Sequence, residues 1–402
     1  MRILFLSDNF PPEVNAPANR TYEHCKHWVK SGVQVTVITC APNFPKGKVY
    51  EGYQNKLYQT EVIDGIKVIR VWTYITANSG FVKRILDYIS FAVMAFFAGL
   101  FVKTDLIIAT SPQFFTAVAG RWLAFFRRKK WVMEVRDLWP ESIIAVGAMK
   151  KGKAIQFFEW VEKRLYQNAN HIVVVTDTFK KKIAARGITP DKISVHKNGA
   201  NLELFVPQPK NETLLQKHKL KGKFVLAYIG THGMAHGLDF ILEAIKPFEN
   251  SHPDMAFLFI GDGAKKGALL EQAARLQLKN AVFVDSVPKK EVVDYLSIMD
   301  VALVNLKKSD TFLTVIPSKI FEAAAMEKPI LLGLEGETKG IIEYYKAGVC
   351  YEPENASAFS KAVHKIRIPQ NYDNLQKGVK TLALDFDRKK IAAAMLTTLK
   401  TV

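Results

Sequence analysis

Residues 224–245 read FVLAYIGTHGMAHGLDFILEAI. An apolar, β-rich run over 224–229 meets a glycine-bearing turn, Gly230-Thr231-His232-Gly233 with His236-Gly237. Leu238, Ile241, Leu242 and Ile245 then recur at i, i+3, i+4 and i+7, which predicts a helix opening just after Gly237. Strand, glycine turn and helix form the unit from which parallel sheets are wound. A second copy follows: the run 256–260 leads into Gly261-Asp262-Gly263. Two such turns at the carboxyl ends of neighbouring strands lie where open α/β sheets bind ligands, with backbone N–H groups and positive helix ends able to meet a diphosphate.

Outward from this stretch the pattern continues. Compact runs rich in Ile, Val or Leu predict strands at 281–284, 302–304 and 330–332, and in the first half at 2–7, 34–39, 67–71, 106–110, 131–135 and 171–175. Pro207-Gln208-Pro209-Lys210-Asn211 separates the halves, and its prolines disfavour helix or central strand. The fold class is therefore α/β, with two Rossmann-like doubly wound domains, 1–205 and 206–385. Ile391, Met395 and Leu399 line one face of a last helical segment, 386–402, expected to pack back on the first domain.

The first strand leads into residues 9–18, NFPPEVNAPA, with no glycine. A dinucleotide site needs G-x-G-x-x-G there for the backbone to approach a pyrophosphate, and the Walker loop is absent too, so NAD chemistry and P-loop hydrolysis are not expected. A third element joins the glycine turns: Pro317-Ser318-Lys319-Ile320-Phe321-Glu322 opens a helix with a hydroxyl, a cation and a carboxylate. Ser318, Lys319 and free amides suit a diphosphate, and Glu322, one turn on, suits a ribose diol. The bland alternative is a capped surface helix with both charges solvated.

Of the formal charge of +18, +13 falls on residues 1–205, with 29 Lys and Arg against 16 Asp and Glu. There the apolar stretch 88–102, YISFAVMAFFAGLFV, is flanked by Lys83-Arg84 and Lys103, and Trp122-Leu123-Ala124-Phe125-Phe126 runs into Arg127-Arg128-Lys129-Lys130. Basic residues beside apolar aromatic runs point to an anionic lipid surface rather than nucleic acid. The stretch falls short of the roughly 20 residues of a spanning helix, so it lies in the interface or is an ordinary buried helix. Cys25, Cys40 and Cys350 are far apart and odd in number, which suits a reducing compartment, and the N-terminus lacks the apolar run of a signal peptide.

Five stretches together are recognisable: Phe10-Pro11-Pro12-Glu13 with Arg20, the string RDLWPES at 136–142, Lys197-Asn198-Gly199-Ala200-Asn201, the turn at 230–237, and Pro317-Ser318-Lys319 through Glu322. On these the chain resembles, over essentially its whole length, the family 4 retaining glycosyltransferases of the GT-B fold. The 136–142 string is similar to the branch that includes bacterial surface-polysaccharide, fucosamine-type transferases. The resemblance implies two domains facing an interdomain cleft. It also implies a UDP-linked, N-acetylated amino or deoxyamino sugar as donor, with no cofactor and no metal, and a polyprenyl-diphosphate-linked acceptor for O-antigen or capsule. The expected place of work is the cytoplasmic face of the inner membrane. Donor contacts are expected from Gly230, Thr231, His232, Gly233, His236, Gly261, Asp262, Gly263, Pro317, Ser318, Lys319, Ile320 and Glu322, and acceptor contacts from Asn15, Asn19 and Arg20.

Many members of that family carry an Arg and a Lys where Thr231 and His236 stand, and a carboxylate where Thr314 stands. Charge balance then makes Lys319 the replacement cation. Asp137 and Glu141 follow the strand 131–135 at its carboxyl end. Asp137 is the expected residue to orient or deprotonate the acceptor hydroxyl, the alternative being a helix N-cap. Arg136 is expected beside them, stabilising phosphate. The lone D-x-D string, Asp385-Phe386-Asp387, is not expected to bind metal. Two other readings stay open: a UDP-sugar 2-epimerase of similar fold, which has no need of the 88–102 stretch, and a basic nucleic-acid-binding protein, which leaves the glycine turns unexplained.

Overall fold

The computed structural model describes residues 1–44, 46–76, 81–111, 113–145 and 152–402. They form two compact units, Met1–Lys197 with Lys389–Val402, and Asn198–Arg388. The division falls before the expected boundary at 205 because Ala200 and Phe205 are buried in the core of the second unit.

The first unit is built on an eight-stranded sheet. Its strands are β1 Arg2–Leu6, β2 Gln34–Cys40, β3 Tyr58–Ile63, β4 Ile66–Val71, β5 Leu106–Thr110, β6 Lys130–Val135, β7 His171–Val174 and β8 Ile193–Val195. Their order is β3-β4-β2-β1-β5-β6-β7-β8, and only β3 pairs antiparallel, with β4. The central strands are buried on both faces, which is why they read as continuous apolar runs. The edge strand β3, YQTEVI, alternates exposed and half-buried residues instead and was not expected from the sequence. Its signal was present in Asp64-Gly65, both at positive φ (49° and 79°), the residue pair that a tight hairpin favours. On one face of the sheet lie the helices Phe81–Leu100, Phe114–Arg127 and Lys153–Asn168. On the other lie Ala16–Lys30 and the last helix, Arg388–Thr401. There Met395, Leu396 and Leu399 join Phe5 and Trp28 in the core, and the Trp28 indole N–H donates to Ala392 O at 2.8 Å.

The second unit has a six-stranded, all-parallel sheet in the order β11-β10-β9-β12-β13-β14. The strands are β9 Phe224–Ile229, β10 Met255–Ile260, β11 Ala281–Val284, β12 Val301–Asn305, β13 Ile330–Gly333 and β14 Gly348–Cys350. Winding reverses between β9 and β12, and in the first sheet between β1 and β5, which makes the carboxyl ends of those pairs the switch points. The helix expected from 386 begins at Arg388. Phe386 and Arg388 flank a bridge to Ala200: its N–H donates to Phe386 O at 3.1 Å and its carbonyl accepts from Arg388 N at 2.9 Å. The strands β8 and β14, three residues each, were too short to show a period.

Candidate functional site

In the second unit the two glycine turns, after β9 and β10, are stitched together beside the switch point. Gly230 N donates to Ile260 O (2.9 Å), His232 N to Asp262 O (2.8 Å) and Lys265 N to His232 O (2.9 Å). No side chain larger than hydrogen fits between them. A Cβ on Gly261 would lie 1.9 Å from Gly230 O, and one on Gly263 2.6 Å from His232 O, both at positive φ (142° and 156°). The helix Leu238–Ile245 starts directly after Gly237, itself left-handed at φ 57°. That turn is clamped from β12: Asn305 Nδ2 donates to His236 O at 2.8 Å while its Oδ1 accepts from Tyr351 OH at 2.7 Å.

Lys319 enters this pocket from the start of the helix Lys319–Ala325. Its Nζ lies 3.9 Å from the centroid of the Tyr228 ring, and a Cβ on Gly230 would come within 2.9 Å of it. Among the described residues the ammonium has no hydrogen-bond partner. Burial pushes it down to about 8 against the opposing pull of Glu322. Burial also pushes His232 and His236 down to about 4, so both rings are neutral near pH 7. Lys266 also reaches the second turn, its Nζ donating to Gly261 O at 2.9 Å, whereas Lys319 lies over an aromatic face with its donors uncommitted among the described residues. Ser318 precedes it in helical conformation and its hydroxyl caps nothing.

The structure brings Gly230, Thr231, His232, Gly233, His236, Gly261, Asp262, Gly263, Ser318 and Lys319 into one region around these turns. Two of the expected donor contacts take other roles. Ile320 is fully buried in the core and its N–H donates to Pro317 O, so neither its side chain nor its amide faces the pocket. Asp262 uses a carboxylate oxygen to accept from Gly263 N at 2.7 Å. Thr314, where the family pattern has a carboxylate, is buried and donates to Thr311 O. Elsewhere in the unit a depression of about 650 Å³ is lined by Asp239, Glu243, Glu271 and Glu354 with Arg275, the wrong sign for a diphosphate.

In the first unit the 136–142 string leaves the carboxyl end of β6. Asp137 is held above the ordinary carboxylate range by burial, against hydrogen bonds from Ser142 and the Leu138 amide. Arg136 donates to Pro17 O at 3.2 Å. Glu141 pairs with Lys182 (2.5 Å) and Arg186 (3.6 Å).

The acceptor expectation is corrected for Arg20. It is 2% exposed, and its guanidinium is committed internally to Glu134 (2.9 Å), His196 O (2.8 Å) and Lys197 O (3.0 Å). Burial pushes Glu134 up, but Arg20 and Arg136 pull it below its ordinary value. Removing one partner of such a pair costs about 3–5 kcal/mol, so Arg20 is a structural residue. Asn15 caps the helix Ala16–Lys30, accepting from Ala18 N at 2.8 Å and donating to Asn9 at 2.7 Å. Asn19 is half-buried on the same helix. The internal role of Arg20 carried no sequence signal, since its partners lie across the fold, whereas Asn15 before Ala16-Pro17 has the pattern of a helix N-cap.

Two Rossmann-like units, the second with a cation beside its interlocked glycine turns, are the architecture of a GT-B glycosyltransferase. The chain belongs to that class: residues 15–199 match the glycosyl transferase 4-like domain and residues 210–376 match glycosyl transferases group 1. It is 24% identical over 398 residues to the Escherichia coli (strain K12) protein WcaI, named for a glycosyl transferase of colanic acid biosynthesis, covering 96% of this chain and 97% of the relative. It is 30% identical over 246 residues to WbjE of Pseudomonas aeruginosa, named as a glycosyltransferase, covering 59% of this chain and 60% of the relative. Among solved structures the Anabaena protein HepE in complex with UDP shares the fold, with a TM-score of 0.74 and 16% identity over all of both chains.

Proposed function

We propose that the chain transfers an N-acetylated amino or deoxyamino sugar, with retention, from a UDP-sugar to a polyprenyl-diphosphate-linked acceptor in surface-polysaccharide assembly, at the cytoplasmic face of the inner membrane. The observation that carries this reading is the Lys319 ammonium, seated over the Tyr228 ring beside Gly230 with no hydrogen-bond partner among the described residues. A departing nucleoside diphosphate gathers negative charge on its terminal phosphate, and an enzyme lowers that barrier by holding cations and donors in place beforehand. In this reading Lys319 and Ser318 meet the diphosphate, Glu322 takes the ribose hydroxyls, and Asp137 orients or deprotonates the acceptor hydroxyl. The polysaccharide setting is supported by the likeness to WcaI, and the uridine nucleotide by the fold shared with HepE, which binds UDP.

Peripheral membrane contact is supported by the outer helices of the first unit. Phe97, Phe125 and Phe126 are more than half exposed there, and Lys and Arg dominate the neighbouring positions. No helix among the described residues is long and apolar enough to cross a membrane. The test is a panel of UDP- and GDP-sugars offered with and without a polyprenyl-diphosphate-linked sugar. Free UDP released only when acceptor is present is the expected result. A 2-epimerised UDP-sugar formed without acceptor would replace this reading with the epimerase.

A further inference from the structure

The first unit leaves an apolar face uncovered. On the helix Phe81–Leu100, Leu86, Ile89, Val93 and Phe97 recur at helical spacing and stand 38–55% exposed, while Phe91, Ala92 and Ala95 behind them are buried. On the neighbouring helix Phe114–Arg127, Trp122, Phe125 and Phe126 are 45–69% exposed. The two helices meet closely at one end, where Gly99 lies against Leu123 so tightly that a Cβ would fall 2.4 Å from its Cδ2. Along them runs an open groove of about 320 Å³ between Val93 and Phe97 on one side and Phe115, Trp122 and Phe126 on the other. From Phe115 to Phe126 it extends roughly 16 Å at 1.5 Å of rise per residue.

Charge and direction say what lies in it. Residues 81–103 and 114–130 carry eight Lys and Arg against one acid, Asp87. Arg84 and Arg121 lie beside the rings of Tyr88 and Trp122 (5.9 and 5.1 Å to the centroids), the pairing of cation and amphipathic aromatic that suits a lipid–water boundary. The groove also leads somewhere. The Phe115 ring stands edge-on to Trp139 at 6.3 Å, and Trp139 lies two residues beyond Asp137 in the 136–142 loop. Trp139 is buried and does not line the groove, so it is the Phe115 end of the groove that packs against the loop carrying Asp137.

We propose that this groove seats the first part of the isoprenoid chain that carries the acceptor diphosphate, directing the head group toward Asp137. The inference rests on the acceptor class proposed above. It is tested on the full chain by two groove-filling variants, Ala119→Phe from the nearly buried wall and Val93→Trp from the exposed one, both keeping the face apolar. Each is assayed with a long-chain polyprenyl-diphosphate-linked sugar and with a short, water-soluble alkyl diphosphate carrying the same sugar, beside a thermal melt and flotation on anionic liposomes. The expected result is a KM for the long-chain acceptor raised about tenfold, what excluding two buried methylenes is worth. kcat, the short-chain KM and flotation stay as in the parent. A folded Val93→Trp protein with the parent's ratio of long-chain to short-chain KM overturns the groove assignment alone. A parent that transfers to neither acceptor overturns the acceptor class as well.

Discussion

The two switch points of this molecule start from the same topology and end differently. In the first unit the crevice between β1 and β5 is closed from within: the Gln113 amide donates to Asp8 across it, Thr39 Oγ1 donates to Asp8 O, and buried Glu13 accepts from the amides of Asn43 and Phe44. Burial pushes the Asp8 and Glu13 carboxyls up to about 7, and these two acids stand where the second unit places Lys319. In the second unit the turn after β9 carries Gly230, whose missing Cβ leaves room for the Lys319 ammonium, a cation with uncommitted donors among the described residues. The parallel sheet supplies the place, and the residues in the first turn after the central strand decide whether it is filled by the protein or left for a ligand.

The proposed function divides the labour along this contrast, with the donor held by the second unit and the acceptor hydroxyl managed from the first. The strongest test of that division is Asp137→Asn, which keeps the size and most of the capping ability of the carboxylate. It is expected to lower kcat on the order of a hundredfold while leaving the UDP affinity and the melting temperature near those of the parent. A variant that turns over within a few-fold of the parent would break the division on the acceptor side.

A smaller effect sharpens the donor side. With its pKa depressed to about 8, Lys319 is charged below that pH and neutral above it. The two histidines nearby, depressed to about 4, change nothing in this range. UDP affinity should therefore fall several-fold as pH rises from 7 to 9, and Lys319→Arg, charged throughout, should flatten the profile even if it binds less well. A parent profile that is flat from 7 to 9 would count against Lys319 as the phosphate cation.

How much of this was legible in the sequence follows from what each feature depends on. The strand of 224–229, its glycine turn and the helix after Gly237 were readable because buried parallel strands are continuous apolar runs and helices keep a 3.6-residue period. The edge hairpin was missed because β3 is polar and half-solvated, although Asp64-Gly65 announced its turn. Lys319 was placed among the donor residues by local pattern, but its seat on Tyr228 is a tertiary fact, ninety residues away in the chain. Arg20 shows the limit. A cation in a recognisable motif reads as a ligand contact until its partner Glu134, on strand β6, is seen beside it.

The most direct measurement is the calorimetric affinity of the full chain for UDP in two variants, one from each unit. Lys319→Ala removes the cation of the open switch point, and Arg136→Ala removes the cation beside Asp137 in the first unit. The expected result is a Kd raised about tenfold to a hundredfold by Lys319→Ala, the worth of a charged hydrogen bond, and changed less than twofold by Arg136→Ala. Unchanged affinity in Lys319→Ala, or a larger loss in Arg136→Ala, would contradict the assignment of the donor diphosphate to the glycine-lined pocket of the second unit.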